Sequence, residues 1–108
     1  MPQFLTIGYG DQEGYDRTDP EVRDRAHAQD AWLKTRGARM GRAGPPVQVR
    51  QPDGADLVQQ EGPFLRADLP VAGFALVEAD DLEHAVQLVA GSPCSVAHGV
   101  VEVWPMLD

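Results

Sequence analysis

The 108-residue chain has a single cysteine, and this scarcity excludes several kinds of site. An intrachain disulfide requires two thiols, and a structural zinc site built from cysteines generally requires two or more thiolates. Cys94 also has no evident catalytic partner close to it in the sequence. We therefore expect Cys94 to be a partly buried structural thiol.

Basic residues are also few, because 9 Lys and Arg stand against 17 Asp and Glu and give a net charge of −8. A nucleic-acid surface needs clustered cations to replace condensed counterions, so the composition argues against direct nucleic-acid binding. Arginines do gather between Arg17 and Arg50, but acidic residues interrupt them. This mixture is typical of an ordinary solvated surface.

Several targeting and cofactor signals are missing. No run of 18 apolar residues is present to form a membrane span, and the first residues lack the basic and apolar segments of an export signal. On this ground the sequence predicts a soluble cytoplasmic protein. The three histidines are far apart, and Gly8-Tyr9-Gly10 lacks the third glycine of a nucleotide loop, so we expect neither a metal nor a cofactor.

The length predicts one domain, residues 1–108, with a single hydrophobic core. A chain this short cannot bury a core and also enclose a large active site. A pocket of useful size therefore requires a second subunit.

Hydrophobic periodicity and turn signals divide the chain into strands and helices. The predicted strands are residues 3–9, 38–44, 47–50, 56–60, 71–79 and 97–106, and the predicted helices run from about 18 to 36 and from 80 to about 90. Pro52-Asp53-Gly54 predicts a turn that makes two of these strands a hairpin, and residues 10–18 predict a loop. The order predicts an α+β, ferredoxin-like split βαβ fold with an inserted hairpin and two helices on one face of an antiparallel sheet.

Capping signals mark the start of both helices. In the first, Thr18 with Glu21 fits a capping box, and alternatively Asp19 caps a helix whose first residue is Pro20. The apolar stripe of the first helix is Val22, Ala26, Gln29 and Leu33, flanked by Trp32, and that of the second is Leu82, Ala85, Val86 and Val89. Gly91 and Pro93 should end the second helix.

Five short segments, by their order and spacing, resemble the YCII-related proteins, also called DGPF-domain proteins. They are residues 4–9, Ala43-Gly44-Pro45, Glu61-Gly62-Pro63-Phe64, residues 77–85 and residues 99–105. The first residue of the DGPF signature is Glu61 here, which keeps the negative charge. The resemblance implies a homodimeric α+β barrel in which two sheets face each other and the helices cover the outside.

The resemblance also implies a catalytic dyad. Its histidine lies on the first helix and is paired with an acid. Counting back from Ala43-Gly44-Pro45 matches His27 to this histidine, whereas counting back from Gly37 matches Ala26. Relatives with the dyad have Asp-Pro after the second helix, where this chain has Ser92-Pro93.

The residues themselves offer Asp30 as another acid for His27. Asp30 lies at i+3 on the same helix, and an imidazole oriented by a carboxylate can transfer protons near neutral pH. The competing interpretation is that Arg23, His27, Asp30 and Lys34 form a solvated polar helix face.

Alternation in the last strand places His98, Glu102 and Trp104 on one face and Val101 and Val103 on the other. If two sheets face each other, the first three side chains could line a ligand pocket, or they could be interface residues with satisfied hydrogen bonds. Tyr9, at the end of the first strand, could direct its phenol into the same cavity or serve as a structural tyrosine.

Two functional hypotheses follow. In the first, a homodimer of the YCII type binds a small organic molecule, and His27 with Asp30 carries out acid–base chemistry such as an isomerisation or an elimination. In the second, the protein is a non-catalytic regulatory or binding module linked to a sigma factor or another transcription protein, a setting that some relatives suggest. A monooxygenase of the dimeric-barrel superfamily is a third alternative, which rests on fold alone.

Overall fold

The computed structural model describes residues 1–107. Its strands are β1 (Gln3–Tyr9), β2 (Arg39–Arg42), β3 (Val47–Arg50), β4 (Val58–Glu61), β5 (Val71–Glu78) and β6 (Val100–Pro105). Its helices are α1 (Gln12–Asp16), α2 (Pro20–Thr35), α3 (Leu82–Val89) and α4 (Pro93–Val96), and a single 3₁₀ turn spans Pro52–Gly54.

Four of the strands form one antiparallel sheet in the order β2-β5-β1-β6. β5 lies between β1 and β2, a strand order that is compatible with the predicted ferredoxin-like arrangement. The α+β class and the antiparallel sheet are therefore confirmed. The expected number of helices was too low, because residues 1–107 contain α1 and α4 in addition to the two predicted helices.

Both additional helices are about one turn long and start at local signals. Asp11 caps α1 by accepting a hydrogen bond from the Gly14 amide at 2.9 Å, so residues 10–18 are not the loop that their polarity suggested. Pro93 occupies the first turn of α4, where its fixed φ favours a helix, whereas its place after α3 had predicted only a helix end. Helices this short have no apolar periodicity to detect.

The start of α2 decides between the two capping alternatives. The Asp19 carboxylate accepts a hydrogen bond from the Glu21 amide at 2.8 Å, so Asp19 is the cap and Pro20 follows it. Thr18 has another role, because its buried hydroxyl donates to the Gly14 carbonyl at 2.7 Å and ties α1 to the start of α2. No helix among residues 1–107 is both long and apolar enough to cross a bilayer.

The hydrophobic core lies between one face of the sheet and the helices. Its buried cluster consists of Phe4, Leu33, Val77, Ala79, Ala85, Leu88 and Val89. In α3 the buried residues follow the i, i+3, i+4 spacing from Ala85, whereas Leu82 and Val86 are each 47% exposed. The predicted buried face of α3 was therefore partly wrong. Leu88 packs in the core, whereas the predicted Leu82 and Val86 are exposed.

The predicted hairpin is present but lies outside the main sheet. β3 and β4 pair only with each other, and residues 47–61 are called the hairpin arm below. Asp53 and Gly54 turn the chain with φ values of 53° and 72°. The Gly62 amide donates to the Pro46 carbonyl at 3.1 Å, so the two ends of the arm are joined at its base.

The first and last strands bring distant parts of the chain together. β1 pairs with β6, and the Met106 amide donates to the Gln3 carbonyl at 3.0 Å. The Ala79 amide donates to the Pro2 carbonyl at 3.1 Å on the other side of β1. Residues 2–3 and residue 106 therefore lie side by side at one end of the sheet.

Candidate functional site

The sheet has two unlike faces. Side chains such as Phe4 and Val77 point to the helices and are buried, whereas their strand neighbours point the other way. We call the second surface the open face, because no helix among residues 1–107 covers it. Its apolar positions are Leu5, Ile7, Phe74, Leu76, Val100 and Trp104.

The strand register concentrates these apolar side chains. Leu5 lies opposite Leu76 on one side and Trp104 on the other, and Ile7 lies between Phe74 and Glu102 in the same way. Trp104 is 53% exposed and Phe74 is 47% exposed. Large apolar side chains in such a contiguous group mark binding or association surfaces more often than isolated exposed residues do.

Tyr9 and Glu102 form the polar element of the open face. The Tyr9 hydroxyl donates a short hydrogen bond to the Glu102 carboxylate, across two neighbouring strands. This bond, with burial and the negative charge of Glu102, raises the pKa of Tyr9 to about 12. The phenol therefore stays protonated and acts as a donor, which leaves the second carboxylate oxygen of Glu102 to accept from another group.

Trp104 and Glu102 lie on one face as alternation predicted, but His98 does not belong to their strand. β6 begins at Val100, and His98 precedes it with a left-handed φ of 64°. The assignment of His98 to the last strand was therefore wrong. A left-handed residue breaks the alternation of side chains, so the strand pattern does not determine the face on which His98 lies.

His27 lies on α2, a helix of the covered side of the sheet, and its side chain is exposed. Its Nε2 is 2.9 Å from the Tyr15 hydroxyl, so a hydrogen bond joins α2 to α1. The Arg23 guanidinium stacks over the same tyrosine ring, 4.7 Å from its centroid. Sequence reasoning missed Tyr15, and the only signal was the Asp11 cap that starts its short helix.

Asp30 is close enough to both His27 and Cys94 to interact with them electrostatically. Burial raises the pKa of the Asp30 carboxyl, and the positive charges of His27 and Lys34 oppose this shift. Burial, and secondarily the charge of Asp30, raise the pKa of the Cys94 thiol. A thiol that resists ionisation is a poor nucleophile, which agrees with the structural role predicted for Cys94.

Apart from His98, the predicted site residues thus fall into two groups. Tyr9, Glu102 and Trp104 share the open face, whereas His27 and Asp30 belong to a helix of the covered side. Residues 1–107 contain no cluster of three or more His, Cys, Asp and Glu side chains that could hold a metal ion. The open face is the more favourable binding surface, because it combines exposed apolar area with a polar anchor.

A scan of known protein families finds no model that matches this chain, and no match is found among curated proteins. The resemblance to the YCII-related proteins therefore remains a prediction.

Proposed function

We propose that two copies of this chain associate through their open faces, as a dimeric α+β barrel of the YCII type, and hold a small organic molecule between them. The open face with its Tyr9–Glu102 pair carries this proposal. Exposed side chains such as Phe74 and Trp104 remain in contact with water in a single chain. Burying them against a second sheet would contribute about 25 cal/mol for each Å² of apolar surface.

The polar pair limits the chemistry of the ligand. Tyr9 donates to Glu102, so the remaining acceptor capacity of the carboxylate fits a hydroxyl or ammonium donor. Trp104 and the neighbouring aliphatic side chains fit an apolar body. A small amphipathic molecule with one donor group is therefore the ligand class that this surface favours.

Native mass spectrometry with sedimentation velocity tests the proposal. We expect a dimer at micromolar concentrations and a retained small molecule, or binding of amphipathic alcohols and amines from a fragment set. Glu102→Gln should reduce such binding roughly tenfold, because a charged acceptor is lost. Glu83→Gln, at an exposed position of α3 on the covered side of the sheet, is the matched control. A monomer at these concentrations, or equal binding by both variants, would contradict the proposal.

A catalytic role for His27 is a second candidate, and its contact with Tyr15 favours it. A phenol at 2.9 Å from Nε2 can fix the ring and exchange a proton with it. If His27 is the acid or base of an isomerisation or elimination, His27→Gln should lower kcat about 100-fold or more. The measurement is turnover of a substrate identified for the unmodified protein. His84→Gln, in a helical histidine of α3, should leave kcat unchanged.

The non-catalytic alternative is favoured because the polar residues of the predicted site lie on opposite sides of the sheet. His27 belongs to the covered side and Glu102 to the open face, and Ser92 is the buried cap residue of α4, where dyad-bearing relatives have an acid. A regulatory or binding module would form the dimer without retaining a small molecule. Dimers that bind no member of the fragment set would support this alternative.

A further inference from the structure

The hairpin arm has apolar side chains that its own chain does not bury. Val47 is 53% exposed, Val49 is 66% exposed and Val58 is 49% exposed. An isolated two-stranded hairpin is only marginally stable in water and generally needs a third strand or a packing surface. The arm pairs with no other strand of residues 1–107, so within the described chain it lacks the third strand that usually stabilises a hairpin.

The two sides of the arm differ in chemistry. Gln48 and Arg50 share one side, where the Arg50 guanidinium donates to the side-chain Oε1 of Gln48 at 2.7 Å and lies 5.7 Å from the centroid of the Phe64 ring. Val47 and Val49 share the other side, opposite Glu61 and Gln59. The valine side therefore holds two of the three exposed valines of the arm.

The dimensions are those of an extended molecule rather than a compact one. The radius of gyration is 15.7 Å, whereas a compact chain of this length has about 13 Å. The accessible surface is 7705 Å², compared with about 5900 Å² for a typical monomer of 11.7 kDa, so the excess is about 1800 Å². An excess of this size is what each chain of an obligate dimer would bury.

The open face alone is too small to account for that area. Four strands about 4.8 Å apart and at most eight residues long cover a plane of no more than roughly 500 Å². A stable interface removes about 800 Å² from each partner. Additional contacts are needed, and the arm is inserted between β2 and β5, which pair with each other at one edge of the sheet.

We propose that the hairpin arm is a dimerisation arm, whose valine side packs on a second copy of this chain beside the two opposed open faces. This inference rests on the proposed dimer and assigns a further surface to it. The hydrogen bond between the Gly62 amide and the Pro46 carbonyl closes the base of the arm. Each copy then contributes one arm to its partner, as the two-fold symmetry of a homodimer requires.

Excision of the arm is the first test. A two-residue Gly-Ser linker can replace residues 47–61, because Pro46 and Gly62 already lie at hydrogen-bond distance. We expect the dimer dissociation constant from sedimentation equilibrium to rise at least tenfold. An unchanged constant would overturn the arm proposal and leave the open-face dimer standing, whereas a monomeric unmodified protein would overturn both.

Point variants test the same proposal without shortening the chain. Val47→Thr with Val49→Thr keeps the shape and strand preference of the arm but removes apolar surface, and we expect about a tenfold weaker dimer. Val58→Thr, on the side that Arg50 and Gln48 occupy, should change the constant less than twofold. Equal effects of both variants would contradict the assigned side.

Hydrogen exchange gives an independent readout. In the unmodified protein, amides of residues 47–61 should exchange slowly above the dissociation constant and rapidly below it. Amides of α2 serve as the internal control and should change little. Arm amides that exchange rapidly at every concentration would contradict the proposal.

Discussion

Gly99 is a position where the backbone leaves no space for a side chain. A Cβ atom there would overlap the Tyr9 carbonyl oxygen and would lie 2.7 Å from that of Cys94, because β6 starts directly against β1 and α4. Because Gly99 has no side chain, β6 can approach β1 and α4 this closely. At this scale, the structure depends on backbone contacts that hydrophobic patterns do not reveal.

Gly99→Ala should therefore destabilise the protein by about 3 kcal/mol, as overpacking against an immobile backbone does. Gly44→Ala is the matched control, since Gly44 also lies outside the strands and a Cβ there would meet no atom within 4 Å. Chemical denaturation measures both. Equal stability of the two variants would contradict the predicted clash.

Tyr9 gives the protein a specific response to alkaline pH. The pKa of Tyr9 is raised from 10.0 to about 12, so between these values the folded chain holds a proton that the unfolded chain releases. This contribution is fully present below pH 10 and is lost as the pH rises toward 12. The free energy of unfolding should fall more steeply in this range for the wild type than for Tyr9→Phe. Tyr15→Phe should retain the wild-type slope.

Helices and strands differ in how well the sequence specifies them. β1 and the hairpin were predictable from side-chain type and turn chemistry, and α2 from its cap and its terminal glycine. The short helices α1 and α4 were not, because their start signals are single residues without periodicity. The same limit applies to the site: alternation found Glu102 and Trp104, but the left-handed φ of His98 has no signature in the sequence.

The packing of α2 on α4 places a carboxylate where it is poorly solvated. Because the pKa of Asp30 is raised above its ordinary 3.8, its ionised form costs stability at neutral pH, and the cost disappears as the pH falls toward that value. Asp30→Asn should stabilise the protein at pH 7 by about 0.5 kcal/mol, since solvent reaches the half-exposed carboxylate and reduces the effect. The gain should vanish in acid.

The same variant should change the thiol. Without the negative charge of Asp30, the pKa of Cys94 should fall and alkylation by iodoacetamide should become about twofold faster at a fixed pH. Asp24→Asn, at an exposed position of α2, is the control for both measurements. An alkylation rate that does not respond to Asp30→Asn would show that the charge of Asp30 does not reach the thiol.

The whole molecule is an elongated body of 51 × 36 × 20 Å with one uncovered sheet face. If this face is an interface, Trp104 is its largest side chain and should contribute most to association. Trp104→Gln should weaken the dimer about 30-fold in sedimentation equilibrium. Trp32→Gln, a tryptophan of similar exposure on α2, should leave the association constant unchanged. Equal effects would place the interface elsewhere.

The hydrogen bond between Met106 and Gln3 holds the two ends of the described chain close together, so the chain is suited to circular permutation. A linker of a few residues could connect residue 107 to residue 2, and new termini could be opened at the Asp53–Gly54 turn of the arm. The rewired chain would keep every strand pairing of the four-stranded sheet, so circular dichroism should still report the helices and that sheet. Circular permutation would thus turn the hairpin arm into a pair of free ends, to which a fluorophore or a second protein could be attached.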